Sequence, residues 1–211
     1  MIEEFRQAGV VPVIVIEDAE KAVPLAKALC AGGLKMIEVT YRTKAAEEAV
    51  RRMAQEVPEA IVGAGTLLTP EMVKSAKAAG AKFGVAPGFD PLIVQTAKDV
   101  GLPFCPGVAT ASELSQALSM SCKMVKFFPA EAAGGVSYIK NLLGAFRFTG
   151  VVFMPTGGVK PTNAADYLSV PEIVCVGGTW IAPKAALEAG DWALIEKNAR
   201  EAVELCKQIR G

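Results

Sequence analysis

Short apolar segments alternate with longer amphipathic, alanine-rich segments along the chain. There are eight apolar segments, and they cover residues 10–16, 36–39, 61–62, 83–86, 104–105, 124–128, 151–154 and 173–176. A continuous apolar run is typical of a parallel strand that is buried on both faces. The segments between them repeat apolar residues at helical spacing, so the chain is predicted to consist of successive strand–helix units.

Eight evenly spaced strand–helix units favour a closed parallel sheet. The predicted fold class is α/β, a (β/α)8 TIM barrel formed by a single domain over residues 1–211. A short N-terminal helix over residues 2–8 and a long C-terminal helix over residues 191–209 are expected outside the eight units. An open doubly wound sheet is the alternative, but no dinucleotide-binding glycine motif follows the first strand.

Charge and hydropathy argue against several classes of partner. The chain carries 22 basic and 22 acidic residues. This balance argues against nucleic acid or a membrane surface as a partner. No apolar stretch approaches the roughly twenty residues of a membrane span, and the first residues lack the character of a signal peptide. We therefore expect a soluble protein of the cytoplasm.

The chain contains no histidine and five scattered cysteines. The absence of histidine excludes Ser-His and Cys-His nucleophile pairs and every histidine-ligated metal site. No two cysteines have C-x-x-C spacing, so free thiols of a reducing compartment are expected. Cys105 and Cys175 lie in apolar runs, where core packing is the expected role. Chemistry must then depend on carboxylates, lysine, backbone dipoles or a metal site without histidine.

Lys126 is the strongest candidate for a catalytic residue. It lies near the carboxyl end of an apolar segment, which is the end where (β/α)8 barrels carry their active groups. Alternation along a strand places it on the face of Met124 and Phe128. A lysine there is costly unless it is neutral or paired, and the neutral amine is the form that attacks a carbonyl. The pattern favours an imine-forming lysine over a purely structural ion pair with Glu38.

Two charged residues near the second predicted strand extend this candidate site. Glu38 interrupts an apolar strand on the face of Met36. It either only neutralises Lys126 or moves protons during imine formation and C–C cleavage, and the second role is favoured because no histidine can move them. Arg42 follows the strand. Its planar guanidinium suits a substrate carboxylate, and a surface loop arginine is the equally weighted alternative.

Glycine pairs follow the seventh and eighth predicted strands, at Thr156-Gly157-Gly158 and Gly177-Gly178-Thr179. In (β/α)8 barrels the loops after these two strands often bind phosphate through backbone N–H groups. The amide dipoles supply the field, so no basic residue is required. Each pair alone is an ordinary turn, but two pairs in these positions indicate a phosphate site.

Together these segments resemble the 2-keto-3-deoxy-6-phosphogluconate (KDPG) and 4-hydroxy-2-oxoglutarate (KHG) aldolase family. The resemblance covers nearly the whole chain. The motifs that carry it are Glu38-Val39-Thr40, Gly63-Ala64-Gly65-Thr66, Lys126-Phe127-Phe128-Pro129-Ala130-Glu131, Pro155-Thr156-Gly157-Gly158 and Gly177-Gly178-Thr179-Trp180. It implies a class I, Schiff-base aldolase that cleaves KDPG reversibly to pyruvate and glyceraldehyde 3-phosphate, and KHG to pyruvate and glyoxylate.

The resemblance also implies roles for individual residues. Lys126 matches the Schiff-base lysine and Glu38 the proton-transferring carboxylate. The implied substrate-binding residues are Arg42 and Thr66 at the pyruvate carboxylate, Thr156 near the C4 hydroxyl, and Pro87 and Phe128. The implied phosphate-binding residues are Gly157, Gly158, Gly178 and Thr179. It further implies a small 2-keto acid as substrate, no metal, no cofactor and a homotrimeric assembly.

Three departures from the family pattern keep related functions open. Ala86 stands where the family often has serine, Thr179 replaces the usual serine after Gly-Gly, and the stretch around residues 147–150 is slightly longer. The first two could tune substrate preference. The alternatives are a related pyruvate-dependent aldolase, a 2-keto-acid decarboxylase, or a non-catalytic oligomeric scaffold. A scaffold has no reason to keep a buried lysine.

Overall fold

The computed structural model describes residues 1–211 and consists of parallel strands that alternate with helices. The strands are β1 (Val10–Ile14), β2 (Met36–Thr40), β3 (Ile61–Gly65), β4 (Phe83–Val85), β5 (Phe104–Cys105), β6 (Gly107–Val108), β7 (Met124–Phe127), β8 (Val152–Pro155) and β9 (Val176–Gly178). Every pairing between strands is parallel. The predicted α/β class with a parallel sheet is therefore confirmed.

Helices follow the strands and flank the whole arrangement. They are α1 (Ile2–Ala8), α2 (Ala22–Ala31), α3 (Ala46–Glu56), α4 (Pro70–Ala78), α5 (Pro91–Asp99), α6 (Ala111–Ser119), α7 (Gly135–Phe146), α8 (Ala164–Leu168), α9 (Lys184–Ala189) and α10 (Trp192–Arg210). Helices α4, α5 and α6 are capped by the residues that precede them, Thr69, Asp90 and Thr110. The side chains of these residues accept hydrogen bonds from first-turn N–H groups. These caps satisfy donors that a helix start leaves free.

The strands form two hydrogen-bonded sheets. Six strands follow the order β5-β4-β3-β2-β1-β9, and three follow the order β6-β7-β8. Two single bridges, Phe153 with Ile173 and Thr156 with Gly177, connect the second sheet to the last segment. The segment predicted as a strand over 173–176 is thus mostly outside β9, which begins at Val176 and ends at Gly178.

Pro106 separates two short strands, β5 and β6. β5 pairs with β4, whereas β6 pairs with β7. Proline has no N–H to donate to a strand ladder, so the hydrogen bonding to β4 stops there. The Pro106 carbonyl still accepts a hydrogen bond from the Lys126 N–H at 2.8 Å. The fifth predicted strand, over residues 104–105, coincides with β5, whereas no strand was predicted at β6.

Two hydrophobic clusters show which way the strand residues face. The larger contains 55 buried residues, includes apolar side chains of most helices, and contains Ile37 and Val125. The smaller contains 10 buried residues, including Met36, Met124 and Phe5 of α1. Successive residues of one strand therefore belong to different clusters, as alternation predicts. No helix of the chain is both long enough and apolar enough to cross a membrane.

Candidate active site

Lys126 of β7 and Glu38 of β2 meet through their side chains. Lys126 is 5% exposed and Glu38 is completely buried. The Lys126 Nζ donates a hydrogen bond to Glu38 Oε1 at 3.1 Å, across 88 positions of sequence. The two side chains share the strand faces of Met124 and Met36, which is where alternation in the sequence places them. A buried ammonium or carboxylate is tolerated only with such a partner.

The surroundings of this pair leave one carboxylate oxygen free. Glu38 Oε2 is buried and has no hydrogen-bond partner. Leaving a buried acceptor unpaired costs about 1–3 kcal/mol, so this atom is a natural contact for a bound molecule or water. The ring of Phe128 lies 5.5 Å from the Lys126 Nζ, a distance at which an aromatic face attracts a cation.

Gly65 of β3 makes room for the Glu38 side chain. A Cβ atom added at Gly65 would lie 2.1 Å from Glu38 Oε1, which is far inside van der Waals contact. Only glycine therefore permits Glu38 to reach Lys126. Gly65 belongs to the motif Gly63-Ala64-Gly65-Thr66, but the sequence does not reveal its role because Glu38 lies on a neighbouring strand.

A cavity of about 170 Å³ opens beside Lys126 at the carboxyl ends of the strands. Nine of the residues predicted to act on substrate line it: Arg42, Thr66, Pro87, Lys126, Phe128, Thr156, Gly157, Gly158 and Thr179. Glu38 does not line the cavity, but it is hydrogen-bonded to Lys126, which does. The hydroxyl of Thr156 is buried and has no hydrogen-bond partner. The cavity therefore presents an amine, a guanidinium and an unpaired hydroxyl to one small volume.

Gly178 and Glu38 are the predicted site residues that do not line the cavity. A Cβ atom at Gly178 would lie 1.9 Å from the Trp180 ring, so the absence of a side chain at Gly178 leaves room for that ring. Its neighbour Gly177 lines the cavity instead. A Cβ atom there would lie 2.3 Å from the Thr156 Oγ1.

Thr40 at the end of β2 connects the strand to Arg42. The Thr40 hydroxyl donates to the Ile14 carbonyl at 2.8 Å and accepts from the Arg42 Nε at 3.2 Å. Because the Arg42 Nε is bonded to Thr40, the two terminal nitrogens of the guanidinium are left to bind the two oxygens of a carboxylate. Thr40 belongs to the Glu38-Val39-Thr40 motif, but nothing in the sequence indicates its contact with Arg42.

Thr66 has a backbone conformation that its residue type rarely adopts. Its φ angle is 60°, in the left-handed region that is strained for a β-branched residue. Such strain is concentrated at ligand sites, and Thr66 lines the cavity together with Arg42. The Gly63-Ala64-Gly65-Thr66 motif placed Thr66 among the expected site residues but did not indicate this conformation.

The loop after β8 exposes backbone amides. Gly157 and Gly158 have φ angles of 99° and 82°, which glycine adopts without strain. The N–H groups of Gly157, Gly158 and Val159 donate no hydrogen bond within the chain. Successive free N–H groups in such a turn form an anion-binding concavity, so the loop can receive a phosphate or carboxylate without a basic side chain.

Two buried thiols, Cys105 and Cys175, lie near the Lys126–Glu38 pair. Burial raises the pKa of the Cys105 and Cys175 thiols well above the ordinary value, so both remain protonated and unreactive. All five cysteines are free. No group of three or more Cys, Asp or Glu side chains in the chain is placed to hold a metal ion.

A buried amine contacts a carboxylate at the carboxyl ends of parallel strands, an arrangement that suits Schiff-base chemistry. The family model for "KDPG and KHG aldolase" matches residues 1–198. The chain therefore belongs to the KDPG and KHG aldolase family and is a carbon–carbon lyase.

Known relatives agree in sequence and in structure. The KHG/KDPG aldolase of Escherichia coli K12 is 49% identical over 198 residues, which cover 94% of this chain and 92% of that protein. A KDPG aldolase of Legionella pneumophila was solved with pyruvate captured at low pH as a covalent carbinolamine intermediate. It is 40% identical, with a TM-score of 0.92 over 96% of this chain and 98% of its own.

A second solved structure carries a phosphorylated compound. The KDPG aldolase of Zymomonas mobilis ZM4 was solved with 3-phosphoglycerate and is 42% identical to this chain. The TM-score is 0.90, and the match covers 97% of this chain and 95% of that one.

Proposed function

We propose that this chain cleaves KDPG reversibly to pyruvate and glyceraldehyde 3-phosphate through a Schiff base on Lys126, and that it also cleaves KHG to pyruvate and glyoxylate. The single observation that carries the proposal is the buried contact of 3.1 Å between the Lys126 Nζ and Glu38 Oε1 beside a cavity lined by Arg42. An amine held out of water next to one carboxyl group has the reactants that imine chemistry needs.

In the first half of the reaction, neutral Lys126 attacks the C2 ketone. The new C–N bond gives a carbinolamine, in which the nitrogen loses a proton and the former ketone oxygen gains one. Glu38 then donates a proton to the C2 hydroxyl, and water leaves to form the protonated imine. Glu38 is the acid in this step because its carboxyl group contacts the reacting nitrogen.

In the second half, the protonated imine accepts the electron pair of the C3–C4 bond. Glu38, now a carboxylate, takes the proton of the C4 hydroxyl, directly or through a water, and the aldehyde leaves. Protonated Glu38 returns this proton to C3 of the remaining enamine, and water then hydrolyses the imine to release pyruvate and free Lys126. The unpaired Oε2 of Glu38 is available for this proton transfer.

Residues around the pair are proposed to hold the ends of the substrate. Arg42 and Thr66 would bind the pyruvate carboxylate, and Pro87 and Phe128 would enclose its methyl group. The buried Thr156 hydroxyl, which lacks a partner, would meet the C4 hydroxyl. The 6-phosphate would lie on the free amides near Gly157, Gly158 and Thr179, while Gly178 would contribute by admitting the Trp180 ring.

We further propose that the two sheets close into one (β/α)8 barrel over residues 1–211. Only Pro106 separates β5 from β6, and two bridges join β8 to the last segment; both observations support closure. A homotrimer of the cytoplasm is proposed from the resemblance to the family and from the free thiols. Sedimentation equilibrium would give a mass of three chains if the trimer forms and of one chain if it does not.

A substrate panel tests the proposed specificity. KDPG, its C4 epimer derived from phosphogalactonate, and KHG are each supplied to the purified protein, and pyruvate release is followed by a coupled dehydrogenase. We expect the highest kcat/KM for KDPG and measurable cleavage of KHG. Release of carbon dioxide without an aldehyde, or a preference for the epimer, would contradict the proposal.

Glu38→Gln tests the proton transfer within the same panel. The amide keeps the size of the side chain but cannot exchange protons, so we expect kcat to fall by about 10²–10⁴-fold, the range for loss of a general acid–base group. Thermal unfolding of the variant serves as the control for folding. Unchanged turnover would assign the proton transfer to another group.

A further inference from the structure

The loop with free amides, residues 157–159, is fixed in place by hydrogen bonds that the carbonyl groups of residues 156–158 accept. The Thr156 carbonyl accepts from the Ala130 N–H at 2.8 Å, and the Gly157 carbonyl accepts from the Glu131 N–H at 3.0 Å. The Gly158 carbonyl accepts from the Asn163 Nδ2 at 3.3 Å. Three successive carbonyls are thus occupied, and the amides of residues 157–159 are left unpaired on the same loop.

Asn163 contacts this loop at two points. Besides its hydrogen bond to Gly158, its Oδ1 accepts from the Lys160 N–H at 2.7 Å. Asn163 immediately precedes α8 and does not use its side chain to cap that helix. Its donor and its acceptor therefore both serve to fix the turn over residues 158–160.

Glu131 supports the other side of the loop and is itself held by Tyr167. A Cβ atom at Gly158 would lie 2.6 Å from the Glu131 Cγ, so the Glu131 side chain packs directly against this glycine. The Tyr167 hydroxyl, on the buried face of α8, donates a hydrogen bond to Glu131 Oε1. This bond restrains a carboxylate that would otherwise be free to approach the amides and repel an anion.

The state of the tyrosine agrees with that role. Burial and the neighbouring Glu131 raise the pKa of Tyr167 above its ordinary value, so its hydroxyl stays protonated and acts as a donor throughout the working pH range. The catalytic pair does not need either residue, because Lys126 and Glu38 make no contact with Tyr167 or Asn163 among their hydrogen bonds.

We propose that Asn163 and the Glu131–Tyr167 pair are positioning residues that hold the 157–159 loop in the shape that binds the phosphate of the substrate. This inference rests on the proposed function and adds to it the residues that select phosphorylated over unphosphorylated keto acids. It separates two tasks: Lys126 and Glu38 act on every 2-keto acid, while α8 and Glu131 act only where a phosphate must be held.

The test compares the two substrates in Asn163→Ala and Tyr167→Phe, with Ser169→Ala as the matched control. The Ser169 hydroxyl also bonds within the α8 region, to the Asp166 carbonyl, but does not touch the loop. We expect KM for KDPG to rise about three- to tenfold in both variants, because each loses hydrogen bonds that hold the loop. Asn163→Ala loses the two bonds of the amide, and Tyr167→Phe loses the bond to the Glu131 carboxylate. KM for KHG should stay within twofold, and Ser169→Ala should change neither.

Two outcomes would overturn the inference: an equal rise in KM for both substrates, or no change for either. Inactivity of the wild-type protein toward both keto acids would contradict the proposed function instead. In that case calorimetric titration with inorganic phosphate tests the loop alone. Weaker phosphate binding by Asn163→Ala and Tyr167→Phe than by Ser169→Ala would support the positioning role, and equal binding would refute it.

Discussion

The two ends of the parallel strands differ in chemistry although they are built by the same side-chain alternation. On three strands a buried methionine lies two positions before a polar residue on the same face, and these pairs are Met36 and Glu38, Met124 and Lys126, and Met154 and Thr156. Met36 and Met124 are the first residues of β2 and β7, whereas Met154 is the third residue of β8 and pairs in register with Lys126. In each of the three pairs the polar residue lies nearer to the carboxyl end than its methionine. On this face of each strand, the buried side chains therefore change from apolar to polar within two positions.

The cavities at the two ends show the same contrast. The amino-end cavity is larger, about 260 Å³, and is lined mainly by apolar residues such as Phe5, Phe83 and Met124. The carboxyl-end cavity measures about 170 Å³ and contains Lys126, Arg42 and Thr156. The larger of these two cavities lies at the amino end, whereas the polar groups that imine chemistry needs line the smaller one at the carboxyl end.

Lys126→Met removes the difference between the two ends most completely, because it replaces the amine at the carboxyl end of β7 with an apolar side chain like that of Met124. We expect turnover to fall by at least about 10⁴-fold, since the covalent nucleophile is lost. Met124→Leu, on the same face of β7, is the matched control and should keep its rate within threefold. Steady-state assays with thermal melts measure both, and comparable losses in the two variants would contradict the distinction between the two ends.

Gly65→Ala tests whether the position of the Glu38 carboxylate matters. The added methyl group would overlap Glu38 Oε1, at 2.1 Å, and displace it from Lys126. We expect kcat to fall by about 10- to 100-fold, part of the 10²–10⁴-fold range for acid–base catalysis. Gly88→Ala is the control, because an added Cβ there meets no atom within 4 Å. A wild-type rate in Gly65→Ala would show that the carboxylate can act from elsewhere.

Thr40→Val removes the hydrogen bond to Arg42 while keeping the shape of the side chain. Without it the guanidinium is less well oriented for a carboxylate, so KM should rise about three- to tenfold with little change in kcat. Thr40→Ser retains the hydroxyl and should restore most of the affinity. Michaelis–Menten analysis with KHG distinguishes these effects, and an equal KM in both variants would leave Thr40 without a role in binding.

Alkylation of the thiols is expected to have the smallest effect on activity. Burial and Glu59 raise the pKa of Cys30 to about 11. A raised pKa lowers the thiolate fraction, so at pH 8 Cys30 should carry about 10²-fold less thiolate than an ordinary thiol. Iodoacetamide at that pH should modify Cys30 slowly and leave Cys105 unmodified and activity intact. Peptide mapping by mass spectrometry checks this, and rapid alkylation of native Cys105 would contradict its buried placement.

Alternation along single strands was sufficient to predict much of the site. It placed Lys126 and Glu38 on the faces of Met124 and Met36, and the absence of histidine directed attention to a lysine. These features depend on residues close together in sequence, where the period of two is a strong constraint.

What the sequence could not provide are contacts between distant segments. The need for glycine at position 65 depends on Glu38 of another strand, and the break at Pro106 depends on which neighbour each half-strand pairs with. The contacts of Asn163 and Tyr167 with the 157–159 loop depend on how α8 packs. Such contacts are set by tertiary packing rather than by local periodicity, so no pattern within one segment reveals them.

The most direct test of the central claim is reductive trapping. The protein is incubated with pyruvate and sodium borohydride, digested and mapped by mass spectrometry. A pyruvate imine should be reduced to a stable secondary amine on Lys126, and Glu38→Gln should form this adduct more slowly. An adduct on any other lysine, or no adduct at all in the wild-type protein, would contradict the assignment of Lys126 as the residue that binds substrate covalently.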